Sequence, residues 1–372
     1  MQLTVSSFLL PELLRELLIF AIKVLVVFCV VQICVMVVHK ILLERRERRM
    51  ALLKSRYLSD IYLVLSQQRT ELARPENADG FSALTDVCIY MSANASPREI
   101  DMIRQIVRDC GVADLYSAQF SKSRFWITRY RLIEKLGFLK LPELAPLFRS
   151  IIVSDQEDRQ VIGKATWALS LICREQDLPF IMDRVSLPDF MSAKFNEHLF
   201  VNIIASFIAN GEKERLLALF AELLAWDRVP LLVKRDFIEA CGNAGLAEAQ
   251  PLILSTAKQV EGSPEMRIAC LRSLQKIGGD ALDCVILAGL RDPDWRVRAV
   301  AAKSVEKCSD AVIEQLELAL GDQNYHVRLN AALSLSRKGA AGQAALDRQT
   351  QSRDRFVREV SRYVMKERDL PC

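Results

Sequence analysis

Glycine and proline are scarce in this 372-residue chain, 14 and 12 in number, and aromatic residues make up only 7% of it. A β-sandwich or barrel needs turn chemistry every ~8–12 residues, so those architectures are excluded and helix is the default. Histidine is scarcer still, with only His39, His198 and His326. No H-E-x-x-H occurs, and Glu197-His198 appears once in the reverse order, too little for a metal centre built on paired histidines. C-x-x-C, G-x-x-x-x-G-K-[ST], G-x-G-x-x-G and G-x-S-x-G are all missing, so phosphate cradles, dinucleotide sites and a nucleophile elbow have no support. Gly163-Lys164 lacks the preceding glycine that a phosphate loop requires. An excess of one charge is also missing: 50 Lys+Arg stand against 46 Asp+Glu, a net charge of +4. Nucleic acid is therefore not expected as a partner. Hydrophobic letters make up 51% of the chain, which excludes disorder. No catalytic, cofactor or metal site is expected, and the expectation is a protein that is not an enzyme.

What the chain does contain begins with ten scattered cysteines: Cys29, Cys34, Cys88, Cys110, Cys173, Cys241, Cys270, Cys284, Cys308 and Cys372. Most sit inside apolar helical patterns such as Ile268-Ala269-Cys270-Leu271, where a free thiol serves as a small hydrophobe. This usage points to buried thiols in a reducing compartment.

One long hydrophobic run is present. From Leu17 to Val38 only Lys23 and Gln32 are polar, and at ~1.5 Å per helical residue this length spans a hydrocarbon core of ~30 Å. Lys23 lies near one end and can extend its ammonium toward the interface. No basic segment precedes the run and no small-residue cleavage site follows it, so a cleaved signal is not expected. Residues 1–16 form a short extracytoplasmic tail in this reading and 17–39 a transmembrane helix. Beyond it, Lys40, Arg45, Arg46, Arg48 and Arg49 outweigh Glu44 and Glu47. That bias keeps this flank in the cytoplasm and offers a contact for anionic lipid.

Apolar positions at helical spacing continue the helix into a stalk, with a linker near residues 73–80. Residues 40–80 are read as stalk and linker, and 81–118 as a helical lead-in. Ser96-Pro97-Arg98-Glu99 reads as a capping box with proline in the first turn, which places a helix over about 97–110.

Repeats dominate 119–368. Residues 292–305 (DPDWRVRAVAAKSV) and 322–335 (DQNYHVRLNAALSL) align at an offset of 30, and 352–365 keeps it with Val357 and Arg358 in register. Looser copies lie at 263–274, 229–245, 196–211, 159–172 and 124–137, about eight units in all. These segments resemble the bacterial HEAT-repeat family, in particular the short variety also found in phycobilisome lyases, whose repeat is a pair of antiparallel helices. The resemblance implies an all-α fold: an α-solenoid of HEAT-like pairs preceded by the transmembrane helix and stalk.

Within the repeat, Asp292 and Asp322 are placed to cap the second helix, and Asp294 sits four residues before Arg298 for an ion pair along the helix. Val297, Ala301 and Val305 make an inward stripe, and the Ala301-Ala302 pair permits close helix approach. Arg298, Arg328 and Arg358 recur once per unit and form a column. They are read as a structural ladder bonding adjacent repeats. Arg362 replaces the second alanine of the last unit, which marks a capping repeat. Arg337, Lys338, Arg353, Arg355 and Arg362 are the candidate partner-binding residues, expected to be exposed.

The expected function is a membrane-tethered scaffold. Its N-terminus lies outside a bacterial inner membrane and its solenoid in the cytoplasm, where it binds a membrane-associated protein of an envelope-glycan or signalling assembly. The alternative is a lyase or modifying enzyme on the same fold.

Overall fold

The computed structural model describes residues 6–187, 193–227, 229–259, 263–303, 305 and 307–368. Residues 1–5 of the tail and Cys372 lie outside this set. Among the described residues there are nineteen α-helices and four short 3-10 turns, with no strand. The chain divides into two units, Met1–Tyr116 and Ser117–Cys372.

The first unit is built on one 60-residue helix, α1 (Ser6–Leu65). It is long and apolar enough from Leu17 onward to cross a membrane, judged by length and composition. No part of its apolar window is buried within the protein; Leu25 is 61% exposed and Phe28 57%. Only the last turns of α1 pack, with Ile61 and Val64 buried against α2 (Ala78–Ser92) and α3 (Pro97–Asp109). The helix α2 begins inside the expected linker because Asn77 caps it, its side chain accepting from Gly80 N at 2.9 Å. At α3 the capping box forms as read, with Ser96 accepting from Glu99 N and Glu99 accepting from Ser96 N at 2.7 Å. Leu84, Cys88, Ile103 and Val107 fill the core, and the buried Thr85 hydroxyl lies 3.1 Å from Tyr116 Oη.

The second unit alternates helices of two kinds. One set comprises α5 (Trp126–Phe138), α7 (Arg159–Ser170), α9 (Ala193–Ala209), α11 (Leu231–Asn243), α13 (Pro264–Ile277), α15 (Trp295–Ala301), α17 (Tyr325–Arg337) and α19 (Arg355–Arg368). Following α4 (Val112–Lys122), the other set is interleaved: α6 (Ala145–Ile152), α8 (Leu178–Val185), α10 (Lys213–Ala225), α12 (Gln250–Gln259), α14 (Leu282–Gly289), α16 (Ile313–Ala319) and α18 (Gly339–Gln349). The repeated segments fall on the first set, whose successive members pack on one another. This stack of helical hairpins is an α-solenoid, an all-α architecture in which each unit buries its apolar face against its neighbours.

Small residues set how closely the stacked helices approach. A Cβ on Gly242 would lie 2.6 Å from the Ser273 backbone, and one on Gly137 would lie 2.8 Å from Ala168 Cβ. Hydroxyls then tie one helix to the next: Ser273 Oγ donates to Ile238 O and Ser334 Oγ to Ala302 O, each at 2.6 Å. Ala301, Ala302, Ala331 and Ala332 are buried, as are Val297 and Val305, although α15 itself ends at Ala301. Near the middle of the stack Phe200, Phe220 and Phe237 are fully buried and meet edge to face.

Candidate functional site: an arginine ladder and two exposed faces

Each ladder arginine starts near the N-terminal end of a stacked helix, and Arg298 reaches from there in two directions. Arg298 Nη1 donates backward to the carbonyls of Asp292 and Pro293 at 2.8 and 3.0 Å. Its Nε and Nη2 donate forward to both carboxylate oxygens of Asp322 in the next unit, at 2.7 and 3.1 Å. Arg267 makes the same two-pronged contact with Asp292, at 2.7 and 3.0 Å. Arg129 repeats the arrangement far upstream, donating to Phe120 O at 2.9 Å and pairing with Glu157 one unit on. The planar guanidinium suits this role because its donors form a rigid fork that matches a carboxylate.

The ladder changes at its end. Arg328 and Arg358 retain the backward bonds, to Asp322 O at 2.8 Å and Ser352 O at 2.7 Å. Where the next unit would supply an aspartate to Arg328, the chain has Ser352, and the Arg328 guanidinium instead lies over the Phe356 ring at 4.9 Å.

Two sequence-based assignments need correction. Asp292 and Asp322 do not cap the helices; each closes a turn one step earlier, accepting from Asp294 N and Asn324 N at 2.8 Å. The caps are Asp294, Asn324 and Asp354, accepting from Arg296 N, His326 N and Phe356 N. This shift of two residues leaves the outer oxygens of Asp292 and Asp322 free to face the preceding arginine. Nor does Asp294 pair with Arg298: its carboxylate binds Arg296 at 2.8 Å. Hydrogen bonds from the Arg296 guanidinium and backbone pull the Asp294 carboxyl down to about 2. Burial by itself would raise the Asp322 carboxyl, but the bonds from Arg298 and Asn324 N outweigh it and the net shift is downward.

The five candidate partner-binding residues differ in environment. Arg337, Arg353, Arg355 and Arg362 are exposed, Arg355 pairing with Glu359 at 2.7 Å and Arg362 donating to Thr350 O at 3.1 Å. Lys338 is the exception to the expected exposure: half-buried, it donates its Nζ to Cys308 O and so closes the preceding unit. In the basic segment of α1, Lys40, Arg45, Arg46, Arg48 and Arg49 are all exposed, Arg46 and Arg49 lying 3.9 and 3.6 Å from Asp79.

A second face was not legible in the sequence. Between α8 and α10 lies a groove of about 420 Å³. Leu178, Met182, Leu219, Leu223 and Trp226 supply its apolar lining, and Glu175, Asp183 and Glu222 its charges. Its walls come from segments some forty residues apart with no shared motif, so no local pattern announces it.

Two buried carboxylates were also missed. Asp177 and Asp236 are 1% and 3% exposed, and burial raises both. Arg149 stands 3.3 Å from Asp177, and Arg235 pairs with Asp236 at 2.5 Å. Burial likewise pushes the Cys88, Cys241 and Cys270 thiols up to about 12, so they stay protonated and inert at neutral pH. Cys29, Cys34 and Cys284 are the exposed cysteines among those described. Among the described residues no three His, Cys, Asp or Glu side chains are grouped to hold a metal ion.

The fold and ladder define an all-α solenoid whose units are joined by charge-paired seams. Residues 282–366 match the family model for HEAT repeats. The bilin biosynthesis protein MpeU of Synechococcus sp. (strain WH8020) is 43% identical over 84 residues, which cover 21% of this chain and 28% of that protein. The chain thus spans little more than a quarter of that relative's length. Human deoxyhypusine hydroxylase aligns over 77% of this chain and 94% of its own, with 16% identity and a TM-score of 0.24. The Pds5–Scc1 complex structure aligns over 87% and 62%, with 12% identity and a TM-score of 0.37. For the karyopherin Kap121p bound to the C-terminus of the phosphatase Cdc14p, the values are 84% and 44%, 11% and 0.34.

Proposed function

We propose that this chain is a non-enzymatic scaffold, tethered by α1 to a bacterial inner membrane, whose HEAT array binds a membrane-associated protein in the cytoplasm. The observation that carries the tether is the exposure of α1. Its apolar side chains from Leu17 to Val38 have no protein to cover them, and a surface of that size is stable in lipid rather than in water. The basic residues Lys40, Arg45 and Arg48, exposed just past this run, favour a cytoplasmic flank and contact with anionic headgroups.

Binding is assigned to the last repeat, where Arg353, Arg355 and Arg362 are exposed. Arg267 and Arg298, by contrast, spend donors on the aspartate of the next unit, and Arg328 and Arg358 spend theirs on carbonyls of their own unit. A tether adds to such a surface by raising the local concentration of any membrane partner. An envelope-glycan or signalling assembly is the class of partner proposed.

Carbonate washing of host membranes, followed by crosslinking and mass spectrometry, tests both parts. The chain should stay with the membrane and crosslink through α19 to one stoichiometric membrane protein. Release by carbonate would sink the tether, and crosslinks confined to lipid-flanking residues would sink the scaffold.

The MpeU match gives a specific reason to retain a second reading, a lyase or modifying enzyme acting on a bilin. A stoichiometric visible absorbance on adding a bilin to the purified chain, stable to gel filtration, would favour it.

A further inference from the structure

The outward face of α19 and the groove between α8 and α10 are complementary. On α19, Val357, Val360 and Val364 turn into the stack. The helical period sets two exposed stripes, one about a quarter-turn from that buried face and one opposite it. One is aromatic, the flanking one, with Phe356 58% and Tyr363 49% exposed and the Arg328 guanidinium over one side of the Phe356 ring. The other is basic, formed by the exposed Arg355, Arg362 and Lys366, with Glu359 offsetting Arg355. The groove reverses the charge and keeps the apolar content. Its lining has carboxylates at Glu175, Asp183 and Glu222 and no cation, over an apolar floor of Leu178, Met182, Leu219 and Leu223 ending at Trp226. Arg215, which holds Glu175, stands outside the lining, and Asp183 and Glu222 are exposed at the rim.

We infer that the groove receives the C-terminal helix α19 of a second copy of this chain, Phe356 and Tyr363 seating on the apolar floor and Arg362 and Lys366 meeting Asp183 and Glu222. The inference rests on reading the α19 face as a protein-docking surface and supplies one occupant for it. Helix-in-groove recognition of this kind takes its affinity from a few apolar anchors and its orientation from flanking charge. Because the two patches differ, every copy can give one helix and receive another, which closes into a reciprocal pair or a ring, or extends into rows, according to the rotation between copies.

Sedimentation equilibrium of the full-length chain in detergent micelles, over about a hundredfold range of concentration, tests this. The mass should rise with concentration and fall back with added salt, since the charges lie at an exposed rim. Asp183→Lys with Glu222→Lys should weaken association about tenfold or more, as should Arg362→Glu with Lys366→Glu, and all four changes in one chain should restore it. Unchanged thermal melts identify variants that remain folded, and Glu222→Gln gives a milder form of the same loss. A wild-type chain that stays monomeric, or an association indifferent to both charge sets, overturns the inference. Either result leaves the scaffold reading intact, because that reading is tested by crosslinks to a different protein in native membranes.

Discussion

A single ladder contact illustrates how the seams hold. Asp322 is mostly buried and accepts from Arg298, so truncating the arginine leaves a carboxylate and two loop carbonyls short of donors. Arg298→Ala should lower stability by about 1–3 kcal/mol, read from chemical denaturation, while Arg353→Ala and Arg355→Ala leave the midpoint within noise. The reverse ranking would move the ladder from structure to binding. The pair also carries a pH signature. The Asp322 carboxyl lies below its ordinary value in the folded chain, so its contribution is complete above the unfolded pKa of about 4 and is lost as the pH falls through the folded value. Melts of wild type and Asp322→Asn should differ most at neutral pH and converge in acid. A gap that stays constant would mean the pair has no proton-linked stability. The letters revealed Arg298, Arg328 and Arg358 because they recur at one fixed offset. Arg267 lies 31 residues before Arg298 instead of 30, and Arg129 pairs with a glutamate, so neither stands out by alignment. The caps were misplaced by two because an aspartate that closes a turn and one that caps a helix offer the same side chain one step apart.

Helix by helix, the sequence spoke clearly where one residue has one physical role. Ser96 with Glu99 marked the start of α3, and the alanine pairs marked where helices touch. It said less where spacing depends on a partner: Gly137 and Gly242 sit in ordinary helical letters, yet the neighbouring helix passes too close for a Cβ. Gly242→Ala should therefore cost about 1–3 kcal/mol, although alanine is the better helix former. Ala301→Leu should cost a similar ~1–3 kcal/mol, because Ala301 is fully buried and a Cβ on Gly289 of α14 would already stand 2.9 Å from its own. A melting series that finds either variant as stable as wild type would place these positions away from a seam. The α8–α10 groove was illegible for the opposite reason: Leu219, Leu223 and Trp226 resemble any apolar helix face until a second wall stands beside them.

For the whole chain, the charge bias beside α1 is the feature with the widest reach. Lys40, Arg45, Arg46, Arg48 and Arg49 are all exposed along the helix just past the apolar run, Arg46 and Arg49 lying near Asp79. Replacing Arg45, Arg46, Arg48 and Arg49 with glutamate should scramble the orientation or abolish insertion, read from a reporter joined after Cys372. An unchanged cytoplasmic signal would show that the basic flank does not set topology. The chain passes from one unit to the other after Tyr116, close to where the repeats begin, without a change of composition, because the stalk and the array share the same helical letters. The repeat pattern was legible because it is written many times over.

Arg267 and Arg298 each reach forward to the aspartate that opens the following unit. Asp292 and Asp322 receive their partners in the same way, so the 30-residue stretch 293–322 begins and ends at equivalent points of the bonding pattern. Removing that stretch would bring Asp292 directly to Gln323 with Arg267 still facing it, whereas a deletion of half that length would strand a carboxylate. The shortened chain should fold with a cooperative melt and the half-unit deletion should not. The array is modular at these joints: a whole unit can be taken out without a new arginine–aspartate pair having to be made.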